Sequence, residues 1–202
     1  MLVKSILWIL AAYLIGSIPW GLVIGKSFFH TDIRDYGSGN LGGTNAGRVL
    51  GFPVGVLVIF LDGCKALLVM YICHLLSPGL EKYVGLAVCV GHCFPIFAGF
   101  KGGKAVACSY GYMLGLSLFE THEFFYTFLV AFIIFFVLLA LTRMVSLSSM
   151  CGVTSAAIAI FCFIDKELGL MMLALALFVI YRHSANIRRI LDHTESKIGR
   201  KS

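Results

Sequence analysis

Charge is what this chain has least of. Asp, Glu, Lys and Arg make up 13% of its 202 residues, ten of them acidic, against 59% hydrophobic residues and a mean hydropathy of +0.94. No long hydrophilic insertion leaves room for a soluble domain, and the sixteen basic residues are dispersed over separate loops, which excludes a nucleic-acid groove. None of the seven cysteines forms a Cys-x-x-Cys; they lie nearly all within apolar runs and read as small hydrophobes. Cys89 and Cys93 beside His92 fall short of the four ligands of a compact zinc site. No carboxylate cluster accompanies the basic loops, so neither metal nor cofactor is called for. A repeat of fixed period is missing too, as is a small-residue cleavage site after the first apolar run, which therefore stays as a span rather than a removed leader.

Uninterrupted apolar sequence is what the chain has in excess. Uncharged runs cover 5–25, 66–80, 83–100, 105–119, 124–142, 146–164 and 168–181, and several approach the roughly 20 residues of a spanning helix. The expectation is an all-α, polytopic membrane protein, a single domain over 1–202 with seven transmembrane helices. Alternating the loops puts twelve Lys and Arg on one side and only Lys4, Lys82 and Lys166 on the other, with Lys65 inside the membrane. Cytoplasmic loops carry the excess, so the N-terminus is expected outside and the C-terminus inside. Helices two, four and six then start on the cytoplasmic side, each with the positive end of its dipole facing that surface.

The loops feeding those starts carry the chemistry. Lys101-Gly102-Gly103-Lys104 joins two glycines, which let backbone N–H groups approach an anion, to two lysines that neutralise it. A second glycine-rich stretch, Gly37-Ser38-Gly39-Asn40 through Thr44, Asn45 and Arg48, offers hydroxyl and amide donors and one bidentate fork. Ser146, ahead of helix six, is suited to an N-cap or an anion contact. Both lysine and glycine loops fit a phosphate.

Three further groups stand out. His92 is the sole ionisable residue of its run, and an intramembrane imidazole is costly unless paired or facing a wet cavity, where it suits proton transfer. His183 and Asn186, at i and i+3, share a helical face at the cytoplasmic exit. Asp62 and Lys65, also i and i+3 and inside the second span, neutralise one another structurally or face the active cavity.

These residues resemble, in order and spacing, the three motifs of the PlsY family: Gly37 to Arg48, then Gly91-His92 with Phe94-Pro95 and Lys101 to Lys104, then His183, Asn186 and Glu195. The resemblance spans about Gly16 to Gly199. It implies a bacterial integral membrane enzyme of seven helices that transfers a fatty acyl group from acyl phosphate to the 1-position of glycerol-3-phosphate, giving lysophosphatidic acid. It also implies a place in the inner membrane with the site facing the cytoplasm, and a functional link to a phosphate acyltransferase that supplies acyl phosphate. Residue by residue it points to Ser38 and Arg48 as essential, to Gly102, Gly103 and Lys104 for glycerol-3-phosphate, to His183 and Asn186 for catalysis, and to Glu195 for structure. Asp62 and Lys65 match a recurrent Asp-x-x-Lys. Gly43 stands where the family usually has Ala, and Ala105 and Cys108 replace a usual Gly and Thr.

Two phosphate-bearing substrates account for two cationic loops. Arg48, Lys101, Lys104 and the loop N–H groups of Gly37, Gly39, Gly102 and Gly103 are expected to hold phosphate charge, with Asn40, Asn45 and Ser146 as further donors. His92, His183 and a substrate phosphate are the three possible proton acceptors. A transporter of organic phosphates is the alternative, but such proteins commonly show inverted repeats and a midplane site, whereas here the glycine-rich loops share one face.

Overall fold

The computed structural model describes residues 2–199, all in helices and the segments that connect them. Ten α-helices follow in order: α1 Leu2–Gly16, α2 Trp20–Phe29, α3 Gly43–Leu50, α4 Phe52–Leu76, α5 Glu81–Cys93, α6 Val106–Leu116, α7 Val130–Thr142, α8 Val145–Phe163, α9 Lys166–Arg182 and α10 Ser184–Leu191. The chain divides into two compact units, Met1–Glu120 with α1 to α6 and Thr121–Ser202 with α7 to α10.

Among the described residues three helices are long and apolar enough to cross a membrane: Phe52–Leu76, Phe125–Thr142 and Val145–Phe163. Two bent pairs raise the number to five, α1 with α2 (42°) and α9 with α10 (61°). The apolar run 5–25, expected as the first span, is bent at a break: Pro19 cannot donate to the ladder, and α1 ends at Gly16. The run 83–100 likewise stops short, because α5 ends at Cys93 before Phe94-Pro95. The second span, expected after the loop at 31–48 with Asp62 and Lys65 inside it, begins at Phe52, with Pro53 pre-organised in its first turn. Two charges interrupt its hydropathy but not its backbone, since Asp62 and Lys65 are buried as a pair at 2.8 Å.

In the first unit α1 packs on α5, and α4 packs on α3, α5 and α6. Hydrophobicity does not distinguish helix from lipid, so small residues decide how close backbones come. A Cβ at Gly16 would strike the Val88 carbonyl, one at Gly111 the Gly63 carbonyl, and one at Gly55 the Gly47 backbone. Gly43, where the resembling family usually has Ala, has the same task here: a Cβ would meet Ile59 and the Gly55 carbonyl. In the second unit α8 packs on both α7 and α9, with Gly169 against the backbone of Phe161.

Candidate functional site

In the first unit the segment before α3 is built around one buried amide. Asn45, 1% exposed, sends Nδ2 to the carbonyls of Ile33 and Tyr36 at 2.8 and 3.2 Å. Its Oδ1 accepts from the Ser38 N–H at 2.8 Å and from the Ser38 hydroxyl at 3.1 Å. Gly37 and Gly39 hold φ of 60° and 65°, which is why glycine flanks Ser38. Asn40 accepts from the Gly42 N–H at 3.0 Å. Asn45, predicted as a phosphate ligand, thus has both Oδ1 and Nδ2 engaged in shaping the loop, Asn40 has its Oδ1 on the Gly42 N–H, and the Gly39 N–H goes to the Tyr36 carbonyl.

Ser38 itself stays exposed. Its partner is an amide oxygen rather than an imidazole, which fits it for hydrogen bonding rather than for nucleophilic attack. Thr44 and Arg48, one turn apart on α3, are also exposed. The approach to this loop is stiffened by Asp32, which accepts from the Arg34 N–H, Nε and Nη2 and lies 3.2 Å from Lys26 Nζ. The Arg34 guanidinium holds the Asp32 carboxyl well below the usual carboxylate range.

The lysine loop lies against the end of α5. The N–H groups of Gly102 and Gly103 donate to the carbonyls of Cys93 and His92 at 3.2 and 3.0 Å. A Cβ at Gly102 would run into the His92 carbonyl, and one at Gly103 into His92 Nε2. These glycines thus serve close packing, and their N–H groups, predicted to cradle phosphate, are engaged by the protein. Anion charge falls to the side chains of Lys101, which is exposed, and Lys104, which is half-buried. Ala105 closes the loop at φ 59°, where a non-glycine residue pays about 1 kcal/mol; this is where the resembling family usually has Gly.

Beneath this loop Lys65 Nζ meets three partners, the Ile18 carbonyl at 2.9 Å, Asp62 Oδ1 at 2.8 Å and His92 Nδ1 at 3.1 Å. Cys108 Sγ donates to the Asp62 carbonyl at 3.1 Å. Asp62, His92 and Cys108 offer ligand atoms within 4.8 Å of one another. The ammonium of Lys65 already supplies the positive charge there, so this donor set does not fit a metal ion.

In the second unit Glu195 collects the third motif. Its Oε1 accepts from Ser146 Oγ and Asn186 Nδ2, both at 2.7 Å, and its Oε2 from Arg189 Nε at 2.7 Å. Burial raises its pKa, but those three donors outweigh the effect and hold the carboxyl below its ordinary 4.5. Ser146, predicted to meet phosphate, is thus bound to Glu195. Arg189 was not singled out by the motifs; only its charge and proximity in sequence to Glu195 could have marked it. His183 sits at the bend between α9 and α10, buried, with Nδ1 2.8 Å from the Val179 carbonyl. A carbonyl only accepts, so Nδ1 carries a ring proton and donates it there. A cavity of about 290 Å³ in this unit, lined by Leu141, Thr142, Arg143 and Lys197, contains none of the motif residues.

A family model described as glycerol-3-phosphate acyltransferase matches residues 6–193. Among curated relatives, the glycerol-3-phosphate acyltransferase of Lactiplantibacillus plantarum is 46% identical over 199 residues, covering 96% of this chain and 92% of the relative. That of Geobacillus kaustophilus is 47% identical over 192 residues, covering 94% of each. Of solved structures, PlsY, an integral membrane glycerol 3-phosphate acyltransferase, superposes in its glycerol 3-phosphate form with a TM-score of 0.87 at 34% identity, covering 97% of this chain and 96% of that one. Its lysophosphatidic acid form gives 0.84.

Proposed function

The chain belongs to the glycerol-3-phosphate acyltransferase family, and from that premise we propose that it acylates the 1-hydroxyl of glycerol-3-phosphate with the acyl group of acyl phosphate, releasing lysophosphatidic acid and inorganic phosphate. The observation that supports this most is that each motif is a pre-shaped piece: Ser38 is fixed by Asn45, the loop before Lys104 is fixed to α5, and Asn186 is fixed by Glu195. Rigid placement of donors is how an enzyme with an already activated anhydride substrate gains rate.

In this reaction the glycerol-3-phosphate hydroxyl oxygen attacks the acyl carbonyl carbon. A new C–O bond forms, the carbon to phosphate-oxygen bond breaks, and the electron pair leaves with phosphate. Lys101, Lys104 and Arg48 neutralise the two phosphates, Ser38 donates to the acyl phosphate, and Asn186 orients the reacting groups. The hydroxyl proton passes to His183 Nε2 or to the departing phosphate.

The membrane arrangement we propose has seven spans, α5 and α6 being the short ones, with the N-terminus outside and all three motifs at the cytoplasmic face of the bacterial inner membrane. The twelve-to-three distribution of Lys and Arg supports it. We read residues 1–202 as a single acyltransferase domain in function, supplied with acyl phosphate by a phosphate acyltransferase. The test is donor choice. A nucleotide thioester needs a polar surface that these short connections do not provide. Purified protein is expected to use palmitoyl phosphate and to use palmitoyl-CoA or acylated carrier protein far more slowly or not at all. Comparable rates from the thioesters, free of phosphotransacylase, would contradict the donor assignment and leave the acceptor assignment standing.

A further inference from the structure

His92 has the residue type of a base but not the bonding of one. The three protons of the Lys65 ammonium match three partners drawn from separate parts of the first unit: the Ile18 carbonyl at the break between α1 and α2, Asp62 Oδ1 on α4, and His92 Nδ1 on α5. His92 Nδ1 also lies 3.3 Å from Asp62 Oδ1, so this nitrogen is engaged within the buried trio whether it accepts from Lys65 or donates to Asp62. With Nδ1 committed there and Nε2 packed against Gly103, the ring's two nitrogens are both turned to the protein rather than to a substrate. Its Nε2 edge lies where a Cβ of residue 103 would be, and its own carbonyl holds the Gly103 N–H.

Burying an ion pair in a membrane helix bundle is expensive, and such residues persist where they have a function. Here the pair is 3% and 2% exposed on its side chains and its third member touches the lysine loop. We propose that Asp62, Lys65 and His92 form a positioning device that sets the height and direction of the Lys101–Lys104 loop, and so the place at which Lys104 meets the phosphate of glycerol-3-phosphate. Asp62 fixes Lys65, Lys65 fixes the His92 ring, and the ring and carbonyl of His92 support Gly103. His92 is then a positioning residue and not the general base. This rests on the acyltransferase reading only for the identity of the phosphate.

Removing one charge alone leaves the other uncompensated, so the informative variant is the doubly neutral Asp62→Asn/Lys65→Met, which keeps bulk and leaves no buried charge. His92→Phe, which retains the ion pair, is the second. Two measurements are made on each purified protein: hydrogen exchange of the loop amides, including Gly102 and Gly103, and steady-state kinetics with glycerol-3-phosphate. The positioning role predicts about tenfold faster loop exchange, with α4 and α5 as protected as in wild type, and a KM for glycerol-3-phosphate raised about tenfold with kcat within about threefold. Wild-type loop exchange in either variant overturns it. So does a kcat of His92→Phe lowered about a hundredfold at unchanged KM, the mark of a lost base. If the wild-type protein makes no product, the functional reading fails, and loop exchange still decides the positioning role.

Discussion

Ser146 Oγ donates to Glu195 Oε1 at 2.7 Å, joining the first turn of α8 to a residue forty-nine positions later. The same carboxylate takes Asn186 and Arg189. Glu195 is thus the fastening of the third motif. Glu195→Ala strands an amide and a hydroxyl and is expected to cost about 2–3 kcal/mol, lowering the Tm and, through Asn186, the turnover. Native stability and activity in detergent would remove it from that role.

Glu195 also gives a pH signature. Its folded pKa lies below the ordinary 4.5, so the unfolded chain binds the proton first as pH falls. The stability it contributes is complete above about 4.5 and is lost as pH drops through the folded value. Glu195→Gln should therefore melt below wild type at pH 7, and the gap should close under acid. A gap constant from pH 7 to pH 3.5 would contradict this.

Asn45 is the corresponding fastening of the first motif. Asn45→Ala removes the acceptor of Ser38 and the donor to two carbonyls. The expected outcome is a stability loss of about 2–3 kcal/mol together with at least a tenfold fall in kcat/KM, read by thermal unfolding and steady-state assay. A folded variant with wild-type kinetics would show that Ser38 needs no support.

For Lys104 charge should matter more than size, its proposed partner being a phosphate. Lys104→Ala is expected to lose about 2–3 kcal/mol of transition-state binding, about 30- to 150-fold in kcat/KM. Lys104→Arg should retain part of the activity. Unchanged kinetics in the alanine variant would take the loop out of the site.

Topology is testable by thiol labelling in a background stripped of reactive native cysteines. Gly79 lies in the connection between α4 and α5 but holds φ 93°, so the exposed neighbour Pro78→Cys is the better reporter. It should react with an impermeant reagent added outside intact cells, and Asp192→Cys, exposed after α10, should not. The reverse pattern would invert the arrangement.

Residue type and spacing made some of the local structure legible. The i, i+3 spacing of Asp62 and Lys65 foretold their pairing, and the glycines beside Ser38 foretold a tight turn. Other features lay beyond a linear reading because tertiary contacts decide them. Gly43–Leu50 has two glycines in its eight residues and reads as loop, yet it is helical because Gly43 and Gly47 let it lie on α4 at Gly55. The uncharged run 66–80 marks only the later part of α4, because Asp62 and Lys65 interrupt the hydropathy of a helix that begins at Phe52, and burial as a pair is invisible to hydropathy. Gly102 and Gly103 suggested a phosphate cradle, whereas their N–H groups belong to the end of α5. Asn45 and Ser146 share the same lesson: a polar side chain in a motif can be engaged in shaping the protein.

The central claim is acyl transfer to glycerol-3-phosphate, and product formation in detergent micelles tests it most directly, since transport has no meaning there. Purified protein given glycerol-3-phosphate and palmitoyl phosphate should form lysophosphatidic acid and inorganic phosphate in equal amounts, followed by mass spectrometry and a phosphate assay, with the Lys104→Ala protein as control. Release of phosphate without lysophosphatidic acid, or no turnover by a folded and monodisperse protein, would contradict it.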